Sequence, residues 1–200
     1  IDPKISPEEG AGVMADLIRE GKILHWGISE ATEEYLRRAH KVCPVTAIQN
    51  RYSMMARWHE NLFPVLEELG VGFVAFSPLA NGLLTDCYTA DTRFDTKTDY
   101  RASMPQFRPE SFEQNQRLFS FIERLADEYH VTPSQIALAW MINKHPWIVP
   151  IPGTRHLSRL KENIGAVDIH LTTEEIRRID AELDTIGMSD VFGGSPIKSK

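Results

Sequence analysis

The stretch Trp147-Ile148-Val149-Pro150-Ile151-Pro152-Gly153-Thr154-Arg155-His156-Leu157-Ser158-Arg159-Leu160-Lys161-Glu162-Asn163 decides how the chain reads. Its first part is short, apolar and rich in β-branched residues, the pattern of a strand buried on both faces. Pro152-Gly153 interrupts that run, and Gly153 permits a tight turn or a close approach of backbone to a ligand. Leu157, Leu160 and Ile164 then recur at helical spacing, which predicts an amphipathic helix. The phrase is therefore strand, glycine turn, helix, with Arg155, Arg159 and Lys161 near the helix start. That end of a helix favours anions and disfavours cations, by about 0.3–1 kcal/mol each. A bound phosphate would resolve the conflict. A solvated helix face after an ordinary turn accounts for the same residues, and the local pattern does not choose between the two.

Outward from this phrase the unit repeats. Ile23–Ser29, Val45–Tyr52 and Val71–Phe76 are further strand-like runs. Ser6 with Pro7 and Glu9 predicts a capped helix that Gly21 stops. Thr32 opens a helix over Glu33–Val42, after which Pro44 prevents continuation. A third helix is expected over Asn61–Leu69, with Gly70 as its stop. Helix resumes over Glu110–Tyr129, with Phe112, Leu118, Phe119, Ile122 and Leu125 as its apolar set. Two capping boxes, Thr132 with Gln135 and Thr172 with Glu175, open the helix running to Asn143 and the last amphipathic helix. Gly187, Gly193, Gly194 and Pro196 read as an irregular tail. The stretch 79–109 breaks the rhythm, and a loop of that length is functional or disordered.

Strand alternating with helix, with nearly continuous apolar strands, is the sequence form of a parallel sheet covered by helices. The reading is one domain, 1–200, with four such units. In such folds sites collect at the carboxyl ends of the strands. Ser29, Gln49 and Ser77 stand at or near three of those ends, and Gly153-Thr154-Arg155 follows the fourth.

Composition narrows the classes. A formal net charge of −6 argues against a nucleic-acid surface. No apolar run is long enough to span a membrane, and no signal-peptide pattern is present. Cys43 and Cys87 lack any metal-ligand or CxxC spacing and read as free thiols of a reducing, cytoplasmic compartment. No metal site is expected.

Five phrases, in this order and spacing, carry a family resemblance: Gly27-Ile28-Ser29-Glu30, Gln49-Asn50-Arg51-Tyr52-Ser53, Phe76-Ser77-Pro78-Leu79-Ala80-Asn81-Gly82, Arg101-Ala102-Ser103-Met104-Pro105-Gln106-Phe107, and Ile151-Pro152-Gly153-Thr154 with Arg159-Leu160-Lys161-Glu162-Asn163. Together they resemble the aldo-keto reductase family over essentially the whole chain. The resemblance implies a (β/α)8 TIM-barrel oxidoreductase that reduces aldehydes or ketones with NADP(H), the chain covering the last four βα units and the C-terminal helix. It implies that Ser29 and Gln49 bond the nicotinamide carboxamide and that Phe76 stacks on the ring. Ser77, Leu79, Asn81 and Gly82 would line the pyrophosphate, with Arg101 reaching the phosphates from the long loop. Gly153, Thr154, Arg155 and Arg159 would hold the 2′-phosphate, and Glu162 and Asn163 would meet the adenine. Read without the family, Ser29 is equally a strand-end cap, Gln49 a satisfied core amide and Phe76 plain core. Glu30 departs from the Asn or Arg common beside that serine and receives no role, and His156 stands where many relatives have Lys.

The family's catalytic Asp, Tyr, Lys and His belong to the first four strands, and the His falls just before a phrase like Ile1-Asp2-Pro3. None of the seven histidines, His25, His40, His59, His130, His145, His156 and His170, replaces it by motif, and no Tyr–Lys pair presents itself. No catalytic residue is assigned. The expectation is a chain with most of a cofactor cradle and without the acid machinery, inactive alone and prone to self-association through uncovered strand edges. The competing class is a nucleotide-binding scaffold or regulatory subunit that does not turn over. The expected partner is a small carbonyl compound, with no nucleic acid and no membrane.

Overall fold

The computed structural model describes residues 1–2 and 4–191. Pro3 and the tail residues Gly193, Gly194 and Pro196 lie outside the described residues. Four parallel strands form one sheet in sequence order: β1 (Gly27–Ser29), β2 (Ala47–Arg51), β3 (Gly72–Phe76) and β4 (Ile148–Pro150). Helix α1 (Pro7–Arg19) precedes β1, α2 (Glu33–Val42) joins β1 to β2, and α3 (Phe63–Leu69) joins β2 to β3. The connection from β3 to β4 carries the long loop and α4 (Pro109–Gln114), α5 (Gln116–Tyr129) and α6 (Pro133–Lys144). Then come α7 (Leu157–Ile164) and α8 (Thr173–Thr185).

Local sequence explains most boundaries. Ser6 accepts the Glu9 N–H at the start of α1, and Thr32 accepts the Tyr35 N–H at the start of α2. Thr132/Gln135 and Thr172/Glu175 form complete capping boxes. At the end of α1, Gly21 has φ 71°, its N–H bonds Ile18 O and the next N–H bonds Leu17 O, the pairing of a Schellman motif.

The core lies between the sheet and α2, α3, α5, α6 and α8, with Ile48, Phe73, Leu36, Leu66 and Trp140 fully buried. Tyr52 stacks on Trp140 with ring centroids 5.4 Å apart, and its hydroxyl donates to Glu60 Oε1 at 2.6 Å. Lys144 bonds both Glu60, at 2.6 Å, and Asp180, and Trp140 Nε1 donates to Asp180 Oδ1 at 2.9 Å. Burial and then the Glu60 carboxylate push the Tyr52 phenol far above its ordinary pKa, so it stays neutral. This polar knot ties β2, α6 and α8 together with every group paired.

Several expectations are corrected. The first strand begins at Gly27, not Ile23; His25 therefore lies outside a strand and Leu24 is 82% exposed. The approach is set at Gly27, where a Cβ would stand 2.6 Å from Ala47 O, and Thr46 N–H to Trp26 O is the one ladder bond before it. The single helix expected over Glu110–Tyr129 is two, because buried Asn115 turns its amide onto Ser189, donating to Oγ at 2.8 Å and accepting the N–H at 2.9 Å. Residues 60–62 are a 3-10 turn ahead of α3. β4 is not covered on both faces: Val149 is 55% exposed. The stretch 79–109 is folded by its own small core, in which the rings of Tyr88, Phe94 and Phe107 meet at 4.9–5.6 Å and Leu83, Leu84 and Met104 are buried. The amphipathic helix expected after Gly153 forms, and its apolar stripe of Leu157, Leu160 and Ile164 is exposed.

Candidate functional site

The register brings the first pair of site residues together. Ser29 and Gln49 are Cα partners across β1 and β2, on the same face of the sheet. Ser29 Oγ donates to Gln49 O at 3.0 Å, so its remaining capacity is as an acceptor. Gln49 is exposed, and its side-chain amide makes no hydrogen bond among the described residues. A satisfied core amide is thereby ruled out. Phe76, at the end of β3, is half-buried, and the Arg51 guanidinium lies over its ring at 4.9 Å. Plain core is not its setting either.

The turn after β3 is a run of strained backbone. Ser77 (φ 52°), Ala80 (φ 48°) and Asn81 (φ 63°) occupy the left-handed region, with Gly82 at φ 100°. Gly82 has no alternative here: a Cβ would meet the Tyr88 ring at 2.8 Å. Asn81 donates to Tyr100 Oη at 3.3 Å and accepts from Gln106 at 3.2 Å, which ties this turn to the far end of the loop. Leu79 packs against the core.

Arg101 is fully engaged inside the loop. It clasps Asp99 with two nitrogens, at 2.9 and 2.5 Å, donates to Tyr88 Oη at 2.5 Å, and lies over Phe94 at 4.6 Å. The Arg101 bond holds the Asp99 carboxyl down at about 2, with Arg155 adding a smaller long-range pull. The structure therefore places Arg101 as the loop's internal fastener.

The fourth strand end leads to α7, whose start has no side-chain cap; Thr154 Oγ1 instead accepts the His156 N–H at 3.1 Å just ahead of it. Gly153 is exposed and open on its Cβ side, and its φ is not in the left-handed region. The tight-turn reading of Gly153 is thus corrected, and room for close approach is what remains. Arg155 is exposed and makes no hydrogen bond or ion pair among the described residues. Arg159 is bound: Nη1 donates to Glu162 Oε2 at 2.7 Å, Nη2 to Cys87 Sγ at 2.7 Å, and Asp86 stands 3.8 Å away. Burial pushes the Glu162 carboxyl up, but bonds from Arg159 and Thr132 outweigh it and keep the group ionised. Asn163, next to it, is half-buried.

Cys87 and Asp86 beside Arg159 were not visible in the sequence, because 72 residues separate Cys87 from its partner. A cavity of about 650 Å³ lies between the start of the long loop and α4, α5 and the start of α6. Leu83, Tyr88, Phe112 and Phe119 line it, and Asp86 stands on its wall. A second group escaped the sequence reading: Glu30, Asn50 and His59, where Asn50 is fully buried and His59 is 3% exposed. Among the described residues there is no cluster of His, Cys, Asp or Glu fit to hold a metal ion, and no helix long and apolar enough to cross a membrane.

Comparison with known proteins places this geometry. A sequence model of the aldo/keto reductase family matches residues 1–184. The chain is 37% identical over 183 residues to aldo-keto reductase str7 of Strobilurus tenacellus, which covers 90% of this chain and 54% of that protein. Among solved structures it is similar to the glycerol dehydrogenase AKR11B4 of Gluconobacter oxydans, with a TM-score of 0.81 at 27% identity over 93% of this chain and 57% of that one. It is also similar to an aldo/keto reductase of Klebsiella pneumoniae solved with NADP and acetate, with a TM-score of 0.66 at 25% identity over 88% and 54%. The chain thus spans a little over half the length of such relatives. The parallel sheet and these likenesses fit a TIM-barrel-type α/β fold, and the chain belongs to the aldo/keto reductase family.

Proposed function

We propose that this chain carries most of the NADP(H) cradle of an oxidoreductase that reduces aldehydes or ketones to alcohols, as the last four βα units of a barrel with its C-terminal helix. The observation that carries the reading is the start of α7. Its first turn lacks a side-chain cap, Arg155 is unpaired, and Arg159 stands one turn on, at the same rim as the free Gln49 amide. Unsatisfied helix N–H groups with two guanidiniums are a donor set for a dianionic phosphate. The related Klebsiella pneumoniae structure, solved with NADP and acetate, agrees with that choice.

In this reading Gly153, Thr154, Arg155 and Arg159 hold the 2′-phosphate, and Glu162 and Asn163 border the adenine, which the neighbouring cavity gives apolar room. Ser77, Leu79, Asn81 and Gly82 line the pyrophosphate. Phe76 supplies a ring face to the nicotinamide, while Ser29 Oγ accepts from its carboxamide and Gln49 bonds it from the next strand. Arg101 contributes to phosphate binding by bracing the loop from Asp99. The bound cofactor supplies the hydride. The proton for the carbonyl oxygen needs an acid; Tyr52 and Tyr129 already donate theirs to Glu60 and Glu175, while Tyr88 and Tyr100 accept, from Arg101 and Asn81, in the long loop. No tyrosine of the described residues is hydrogen-bonded to Ser29, Gln49 or Lys144, which favours one second reading, a nucleotide-binding chain that does not turn over by itself.

Arg155 is the cleaner test residue, because Arg159→Ala also breaks the Glu162 pair. Arg155→Ala is expected to weaken NADPH binding by about 1–3 kcal/mol, the range for hydrogen bonds to a charged group, and to leave NADH unchanged. Fluorescence titration of both cofactors reads this directly, and equal losses would remove the 2′-phosphate assignment.

A further inference from the structure

Glu30 adopts φ 55°, a left-handed conformation that costs a residue with a long side chain and persists only where the surroundings impose it. What imposes it is Asn50. The Glu30 N–H donates to Asn50 Oδ1 at 2.9 Å and, more weakly, to Gln49 O at 3.2 Å. Because Oδ1 of Asn50 is the acceptor, its Nδ2 is the group facing His59 Nδ1 at 3.2 Å, and it donates there. His59 Nδ1 is therefore bare, and the neutral ring carries its proton on Nε2. That Nε2 is fully buried and has no hydrogen-bond partner, with Glu30 Oε2 standing 3.6 Å away. The other carboxylate oxygen of Glu30 accepts the Arg51 N–H at 3.3 Å, and the guanidinium of Arg51 covers Phe76. A buried donor is thus left just short of the one acceptor that its ring faces, on the residue next to Ser29.

We infer that Asn50 and His59 are positioning residues for the nicotinamide end of the cofactor, acting through Glu30. Asn50 fixes the Glu30 peptide and with it the presentation of Ser29 Oγ. The Nε2–H of His59 closes onto the Glu30 carboxylate when a ligand fills the space beside Ser29, Gln49 and Phe76. Closure satisfies the orphaned donor, so the free energy gained adds to the affinity for a ligand that reaches this end and to no other. The inference rests on the cofactor reading proposed above.

The test compares two probes on the 200-residue chain: NADPH, and adenosine 2′,5′-bisphosphate, which has no nicotinamide. His59→Leu is expected to weaken NADPH about tenfold, the scale of one charge-assisted hydrogen bond, while leaving the bisphosphate unchanged. His59→Gln, whose amide accepts from Asn50 and donates to Glu30, restores most of the loss. NADPH affinity unchanged in His59→Leu, or both probes weakened alike, overturns the inference and leaves the cofactor reading standing. Wild-type chain that binds neither probe overturns both. Should His59→Leu not fold, long-range ¹H–¹⁵N spectra of the wild-type histidines decide. The expected result is a His59 Nε2–H tautomer whose Nε2 resonance moves with NADPH and not with the bisphosphate. A protonated Nδ1, or an Nε2 that ignores NADPH, counts against it.

Discussion

Helices α6 and α7 are both rich in large apolar side chains, and their fates are opposite. In α6 the run Ile136, Ala137, Leu138, Ala139, Trp140 and Met141 is buried on all sides, between α5, α8 and β4. In α7 no residue is buried, and Leu157, Leu160 and Ile164 are 68%, 44% and 57% exposed. Val167 after the helix, Val149 of the last strand and Ile151 just beyond it are exposed as well. Large apolar side chains are present in both sequences, on most of α6 and on one stripe of α7. What differs is supply: α6 packs against α5, α8 and β4, whereas α7 rests on α6 and the turn that follows it, with Arg159 reaching Cys87 of the long loop. An apolar stripe states that burial is needed and says nothing of where the covering surface comes from.

The sharpest way to break this comparison is to cut into both helices. Trp140→Ala removes a fully buried indole and one of the hydrogen bonds to Asp180, and is expected to cost about 3–5 kcal/mol in denaturant unfolding. Leu160→Ala should change stability by less than about 0.5 kcal/mol, as at other exposed positions. Comparable losses at the two sites would show that α7 is packed after all.

The next effect concerns association. Val149 is exposed on β4, an edge strand of the sheet, α7 exposes its apolar stripe, and unpaired edges template pairing. Sedimentation velocity of the 200-residue chain is expected to show dimers or larger species at micromolar concentration. Leu160→Glu with Val149→Lys should shift the distribution towards monomer. A monodisperse wild-type monomer would sink this proposal.

The two helices also mark what the sequence could yield. Repeating apolar strands and capped helices gave the parallel sheet, because side-chain period and cap chemistry are local properties. The start of β1 was misjudged because Ile23 and Leu24 look like strand, whereas the limit is a backbone contact at Gly27 that no pattern encodes. Asn115 fell inside an expected continuous helix, and the break comes with Ser189, 74 positions away. Ser29, Gln49 and Ser77 were legible from their strand ends, the register then aligned the first two, and Phe76 was legible only through the family resemblance. The Glu30–Asn50–His59 group was not, since a left-handed glutamate and a histidine tautomer exist only once the strands are paired. Arg101 was singled out for the phosphates by the family phrase, and its clasp on Asp99, two residues back, was not legible there.

That clasp gives the smallest predicted effect, and it carries a pH sign. Asp99 is held down at about 2 by Arg101, below the ordinary carboxylate value. A depressed carboxylate stabilises the fold above its unfolded pKa, and the contribution fades as pH falls towards the folded value. Hydrogen-exchange protection of the Tyr100–Ser103 turn should therefore hold at pH 5 and weaken between about pH 4 and about 2. Asp99→Asn should show the weakened protection already at neutral pH. Protection that is unaltered by the substitution would mean the aromatic cluster alone organises the loop.

The central claim is that the uncovered start of α7 is a phosphate site of the cofactor and not a surface waiting only for protein. Amide spectra of the chain titrated with adenosine 2′,5′-bisphosphate, and in parallel with adenosine 5′-monophosphate, test it most directly. The account predicts saturable shifts at Gly153, Thr154, Arg155, Leu157 and Ser158 with the bisphosphate, and far smaller ones with the monophosphate at the same concentration. Equal responses to the two nucleotides, or shifts that avoid residues 153–163, would contradict it.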